Sequence, residues 1–160
     1  HALFVSSDIP TLTAEMVEWE VGAALETDHQ GYYTLIPHEA MEQRFPGSRR
    51  TYFSLRDGRC CGGDMNLIKT EIVADYNPAW RTIAAARKSI LKQAGLVGFD
   101  TLLLLALGRL SAAQVEQRVR ERLGVNGRFL ICPYAEIGMD VDKPAQYEML
   151  KAELEKRQRT

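Results

Sequence analysis

The chain has 160 residues, 46% of them apolar, with 20 Lys and Arg set against 21 Asp and Glu. That length predicts one domain over residues 1–160, and the apolar share suffices for a core. A balance this close to neutral excludes the basic footprint of a nucleic-acid binder and a tail held to membranes by charge.

The opening "HALFVSSDIPTLT" carries an apolar run, Ala2 to Val5, that predicts a strand covered on both faces in a parallel sheet. The strand arrives at Asp8, then Pro10. In open α/β sheets ligands sit beyond the carboxyl ends of the strands, so Asp8 faces such a crevice or shapes the turn before Pro10. Thr13 is a good N-cap with Glu15 in the first turn, and Val17, Val21 and Ala24 or Leu25 form the apolar stripe of a helix. "GYYTLI" (31–36) reads as a second strand ended by Pro37, and "HEAMEQRF" as a short helix or turn stopped by Pro46 and Gly47.

Tyr52 and Phe53 lie in a β-prone run, Asp57 and Gly58 make a turn, and Met65 to Ile68 returns as a strand. Between them the paired Gly62 and Gly63 serve a close backbone approach to a ligand, a positive φ, or a β-bulge or hairpin turn. Residues 78–94, 101–110 and 111–123 read as helices, the last capped by Ser111 and closed by Gly124. "RFLICP" (128–133) is a short strand, and a final helix runs from Pro144 to Arg157 with Tyr147, Leu150 and Leu154 on one face. Alternating strands and helices predict an α/β sandwich.

In "GMDVDKPAQYEML" an extended backbone puts Asp140 and Asp142 on one face. Two such carboxylates suit Mg²⁺, or one of them caps the helix that Pro144 opens. Arg81, Arg87, Lys88 and Lys92 form a basic stretch that reads as a solvated helix face or as contacts to phosphate. Cys60, Cys61 and Cys132 are odd in number and match no disulfide, zinc or redox spacing, which predicts reduced, dispensable thiols and a cytoplasmic setting. His29 and His38 read as surface residues. "TLLLLAL" (101–107) is too short to span a bilayer, which takes about 20 residues.

Taken in order, "ALFVSSDIPTLT", "RTYFSLRDGRCCGGDMNLIK" and "GMDVDKPAQYEML" resemble the D-x-P segment, the hairpin with its Gly-Gly strand, and the closing D-[IV]-D-x-P segment of MobA-like nucleotidyltransferases. The resemblance spans nearly the whole chain. It implies a Rossmann-like three-layer sandwich of the nucleotide-diphospho-sugar transferase type. It also implies Mg²⁺-dependent transfer of an NMP group from an NTP to a small phosphorylated acceptor, with release of pyrophosphate. Asp8 is then a metal ligand and catalytic residue, with Asp140 or Asp142 as its acidic partner. Gly62 and Gly63 lie on the acceptor side, with Pro10 and Asn66 as further substrate-side candidates. Arg87 and Lys88 are candidates for neutralising a phosphate.

The family's glycine-rich L-x-A-G-x-x-x-R loop, which holds the NTP phosphates, has no counterpart in this sequence. The chain is therefore read as the C-terminal portion of such a domain, with the N-terminal strands missing and self-association as an expected consequence. A non-catalytic binding or regulatory module that keeps the fold is the rival reading. Asp64 follows the glycines where Asn is frequent in the family, and it repels an anionic acceptor unless a cation screens it.

Overall fold

The computed structural model describes residues 1–74 and 98–158, together with Pro78, Arg81 and Leu96. In chain order the elements are β1 (Ala2–Val5), α1 (Ala14–Leu25), β2 (Gly31–Pro37), α2 (His38–Arg44), β3 (Phe53–Leu55), β4 (Gly58–Ile68) and α3 (Thr70–Val73). There follow α4 (Phe99–Ala106), α5 (Ala112–Leu123), β5 (Gly127–Ile131), a 3₁₀ turn (Ala135–Gly138) and α6 (Pro144–Gln158). The helix expected over 78–94 falls, apart from Pro78 and Arg81, outside the described residues.

The five strands form one mixed sheet in the order β1-β4-β2-β5, with β3 also paired to β4. β4 runs antiparallel to β1, β2 and β3, whereas β2 and β5 are parallel. Helices cover both faces. Ile36, Cys61 and Met65 point into a core with Met16 of α1, Met41 of α2, Ile137 of the 3₁₀ turn and Leu150 of α6. On the opposite face Leu35 and Cys60 meet Leu105 of α4 and Val115 of α5. The strand period of two thus divides neighbouring residues such as Leu35 and Ile36 between two layers.

β1 departs from the expectation of a strand buried on both faces. It pairs antiparallel to β4, and among the described residues no strand pairs with its other edge. Phe4 and Val5 are accordingly 42% and 43% exposed. The stripe of α1 is displaced by one position: the buried residues are Met16, Glu20 and Ala24, with Leu25 exposed. Hydrophobicity alone selects Val17 and Val21. The helix instead turns Glu20 inward, where the Thr34 hydroxyl donates to Oε1 at 2.5 Å and Oε2 has no partner among the described residues.

The cap signals hold where side chains support them. Ser111 Oγ accepts from the Gln114 amide and Gln114 Oε1 accepts from the Ser111 amide, a reciprocal box. Gly124 closes α5 at φ 67°. Pro144 begins α6, and the side chain of Gln146, buried within that first turn, accepts from the amides of Asp142 and Lys143 at 3.1 and 2.9 Å. The three cysteines are free and buried, and burial holds their thiols above the usual range, Cys132 to about 12. Among the described residues no helix is long and apolar enough to cross a membrane.

Two tests follow from the sheet. A Cβ on Gly63 would meet Thr34 Cγ2 at 2.9 Å and Ile137 Cγ2 at 3.2 Å. Gly63→Ala therefore overpacks the layer beneath the 3₁₀ turn and should cost about 1–3 kcal/mol in denaturant unfolding. Glu20 is raised above the ordinary carboxylate range, chiefly by burial and in opposition to the Thr34 hydroxyl. A raised folded pKa contributes stability in full below the unfolded value and loses it as pH climbs through the folded one. Glu20→Gln removes that loss, so melting curves from pH 5 to pH 8 should show the variant gaining on the wild type as pH rises.

Candidate metal and phosphate site

Three chain segments converge beyond the carboxyl end of β1. The first is Ser6 to Asp8. The Ser6 amide donates to the Asp64 carbonyl at 2.9 Å, which extends the β1–β4 ladder by one step and carries the chain to Asp8. The Ser6 hydroxyl then donates to Asp8 Oδ1 at 2.5 Å, fixing the carboxylate. The second segment is Asp140 to Asp142, which returns after β5 and the 3₁₀ turn. The Val141 amide donates to the Asp8 carbonyl at 3.0 Å, so the two segments are tied through their backbones. As a result one carboxylate oxygen from each of Asp8, Asp140 and Asp142 lies within 4.8 Å of the others. Asp140 is buried, Asp8 half-buried and Asp142 exposed.

The third segment is the loop between α2 and β3, and it brings a residue that no sequence motif singles out. Arg50 reaches into the acidic cluster with only 13% of its side chain exposed. Its Nη1 donates to Asp140 Oδ1, and its Nη2 lies 3.3 Å from Asp64 Oδ2 and 3.4 Å from the Gly62 carbonyl. Arg49 immediately before it adopts φ 55°, a left-handed conformation unusual for a residue with a side chain. The Lys143 ammonium donates to the Arg49 carbonyl at 3.2 Å, and Gln146 Nε2 to the Ser48 carbonyl at 3.5 Å. The start of α6 thus clasps the loop that delivers Arg50.

The electrostatics follow from this crowding. Two carboxylates near 5 Å apart repel by roughly 3 kcal/mol at an effective dielectric of about 20, and by less where Asp142 meets water. Asp64 lies on the same edge and feels the group. Burial first, then the charges of Asp140, Asp8 and Asp142, push its carboxyl up to about 6, with Arg50 opposing. Arg50 is the cation that opposes this rise. Carboxylate oxygens are hard donors of the kind Mg²⁺ takes, and three of them on tethered backbones fit such an ion.

The remaining candidates divide. Pro10 is exposed and lines a cavity of about 490 Å³ together with Asp8, Val141, Tyr147, Leu150 and Leu154. The apolar face expected of α6 is therefore one wall of a space opening beside Asp8. Gly62 and Gly63 point to opposite faces of β4. Gly62 leaves room for the Tyr33 phenol, and Gly63 for Thr34. Asn66 is engaged with the backbone: Oδ1 accepts from the Thr34 amide at 3.1 Å, where the β2–β4 register shifts. It also borders a groove of about 440 Å³ with Phe4, Tyr33, Ile68, Val119 and Phe129. Arg87 and Lys88 lie outside the described residues. His29 and His38 stand apart from the cluster, bonded to Thr27 and stacked edge-on against Tyr52 respectively.

No family model matches the chain, and no curated protein matches it. A solved structure is similar, that of a protein of Thermus thermophilus described as a hypothetical transferase, at 42% identity and a TM-score of 0.81. The likeness covers 92% of this chain and 62% of that one, so the chain has the mixed α/β fold of that protein and spans 62% of its length.

Proposed function

We propose that the chain is part of a nucleotidyltransferase that moves an NMP group from an NTP to a small phosphorylated acceptor and releases pyrophosphate. The observation that carries this reading is the convergence of Asp8, Asp140 and Asp142 within 4.8 Å at the carboxyl edge of the sheet. It is supported by the likeness to a protein described as a hypothetical transferase, and by the resemblance of the D-x-P, Gly-Gly and D-V-D-K-P segments to the MobA-like family. The reading takes the chain to be the C-terminal part of that domain, acting in the cytoplasm.

The three aspartates would hold Mg²⁺, which when bound offsets the charge of the phosphates. This chain's own residues supply the frame. Ser6 and the Val141 amide fix Asp8, and the Gln146 cap fixes the segment that bears Asp140 and Asp142. In the reaction an oxygen of the acceptor phosphate attacks the α-phosphorus of the NTP. A new P–O bond forms, the bond to the bridging oxygen breaks, and pyrophosphate leaves with that electron pair. Catalysis of this kind rests on positioning and charge neutralisation rather than on a nucleophilic side chain. Gly62 and Gly63 belong to the acceptor side, and Arg87 and Lys88 are the candidates for meeting phosphate.

The test is Mg²⁺-dependent pyrophosphate release by the complete protein. Asp8→Asn keeps the size of the side chain and removes its charge. Turnover should fall by at least about 100-fold, the upper range for losing even an indirect metal contact. The melting temperature without metal should hold or rise, because repulsion within the cluster is relieved. Wild-type turnover in Asp8→Asn would end the metal-site reading. Tight NTP or Mg²⁺ binding by the complete protein with no turnover would favour a binding module instead.

A further inference from the structure

The guanidinium of Arg50 is incompletely used. Its one firm bond is to Asp140, the contacts to Asp64 and Gly62 are at the long limit of hydrogen bonding, and its buried Nε has no partner among the described residues. Asp140 and Asp64 both contact this one buried cation among the described residues, with Asp8 and Asp142 beside Asp140 in the cluster, while the nearby Lys143 ammonium bonds to the Arg49 carbonyl.

We propose that Arg50 is the resident counter-ion of the cluster and exchanges with a divalent cation at Asp140, withdrawing to Asp64 when the metal arrives. The inference rests on the metal-site reading above and concerns how that site is regulated. A divalent ion at Asp8, Asp140 and Asp142 takes the oxygen that Arg50 now holds and repels its positive charge. Asp64 Oδ2 already lies 3.3 Å from Nη2, so a small swing transfers the guanidinium without exposing it. This gives the carboxylate of Asp64 a purpose in a position facing the acceptor side. It is the second seat for Arg50, and the exchange keeps the site assembled in both states. Removing Arg50 then has two opposite effects: the metal-free protein loses stability, and the metal gains an uncontested ligand.

The experiment is calorimetric titration of the complete protein with Mg²⁺ alone, alongside thermal melts with and without Mg²⁺, for wild type, Arg50→Met and Asp64→Asn. Arg50→Met should melt lower without metal, bind Mg²⁺ about tenfold more tightly and show a larger rise in melting temperature on adding it. Asp64→Asn removes the second seat and a negative charge, leaving Arg50 on Asp140, and should weaken Mg²⁺ binding by about tenfold. Unchanged or weaker binding in Arg50→Met would overturn the exchange and make Arg50 a support for Asp140. If Arg50→Met does not fold, Asp64→Asn decides, because unchanged or tighter binding there is equally fatal. Failure of wild type and both variants to bind Mg²⁺ at millimolar concentration would sink the metal-site reading and the exchange with it. Binding that is present but indifferent to both residues sinks the exchange alone.

Discussion

A single antiparallel strand, β4, sets the position of everything else. Its eleven residues lie between β1 and β2 and also carry β3, so three separate parts of the chain take their register from it. That register places Asp64 beside Ser6, at the point where β1 releases the chain toward Asp8. Because β2 and β5 are parallel, β5 delivers its carboxyl end toward the same side, and the Asp140 to Asp142 segment can come back to Asp8. The two glycines are the condition for this arrangement. The Tyr33 phenol lies over Gly62 on one face and the Thr34 and Ile137 side chains over Gly63 on the other, so side chains at 62 and 63 would displace the phenol and crowd the packed layer. The Gly-Gly pair is in this sense a spacing device within the sheet.

The site works against its own stability. Its carboxylates are brought together by backbone bonds that are indifferent to charge, and among the described residues Arg50 is the buried cation that offsets them. Arg49 accepts an unfavourable backbone conformation next to it, at a cost of about 1–2 kcal/mol for a residue with a side chain. Local strain of this kind persists where the surroundings over-determine it, here through Lys143 and Gln146 at the start of α6. The acidic cluster, the loop that neutralises it and the helix that clasps the loop form one unit.

Much of this is legible in the chain. Ser111, Gly124 and Pro144 mark helix ends because caps are local chemistry, and the hydrogen bonds and backbone angles at those ends bear them out. Asp8 is marked by the end of the apolar run three residues before it, whereas the D-V-D segment follows the 3₁₀ turn and only the tertiary fold brings it to Asp8. Arg50 is not legible. In "GSRRTY" two arginines stand side by side among polar residues, and nothing local says which of them turns inward to an acidic cluster. The decisive facts, Asp64 and Asp140, lie 14 and 90 residues away. Glu20 is illegible for a related reason: a hydrophobic pattern assigns every carboxylate to water, and only the Thr34 hydroxyl across the layer shows that this one is buried. β1 reads as doubly covered because its apolar run does not record which edge is paired.

The bond from the Val141 amide to the Asp8 carbonyl has a consequence for how the molecule is made. Residues 8 and 141 are separated by most of the chain. A ribosome adding about 5–20 residues per second needs on the order of 10 s to produce the second after the first. During that interval β1 also waits for β4, its only strand partner among the described residues. Within this chain β1 can be secured as soon as β4 has been made, whereas the acidic cluster cannot close until α6 is beginning to emerge. A nascent chain stalled anywhere before Asp140 holds Asp8 without its acidic partners. The cluster is thus assembled in two stages, its Asp8 half once β4 is paired and its Asp140–Asp142 half only after β5 and the 3₁₀ turn.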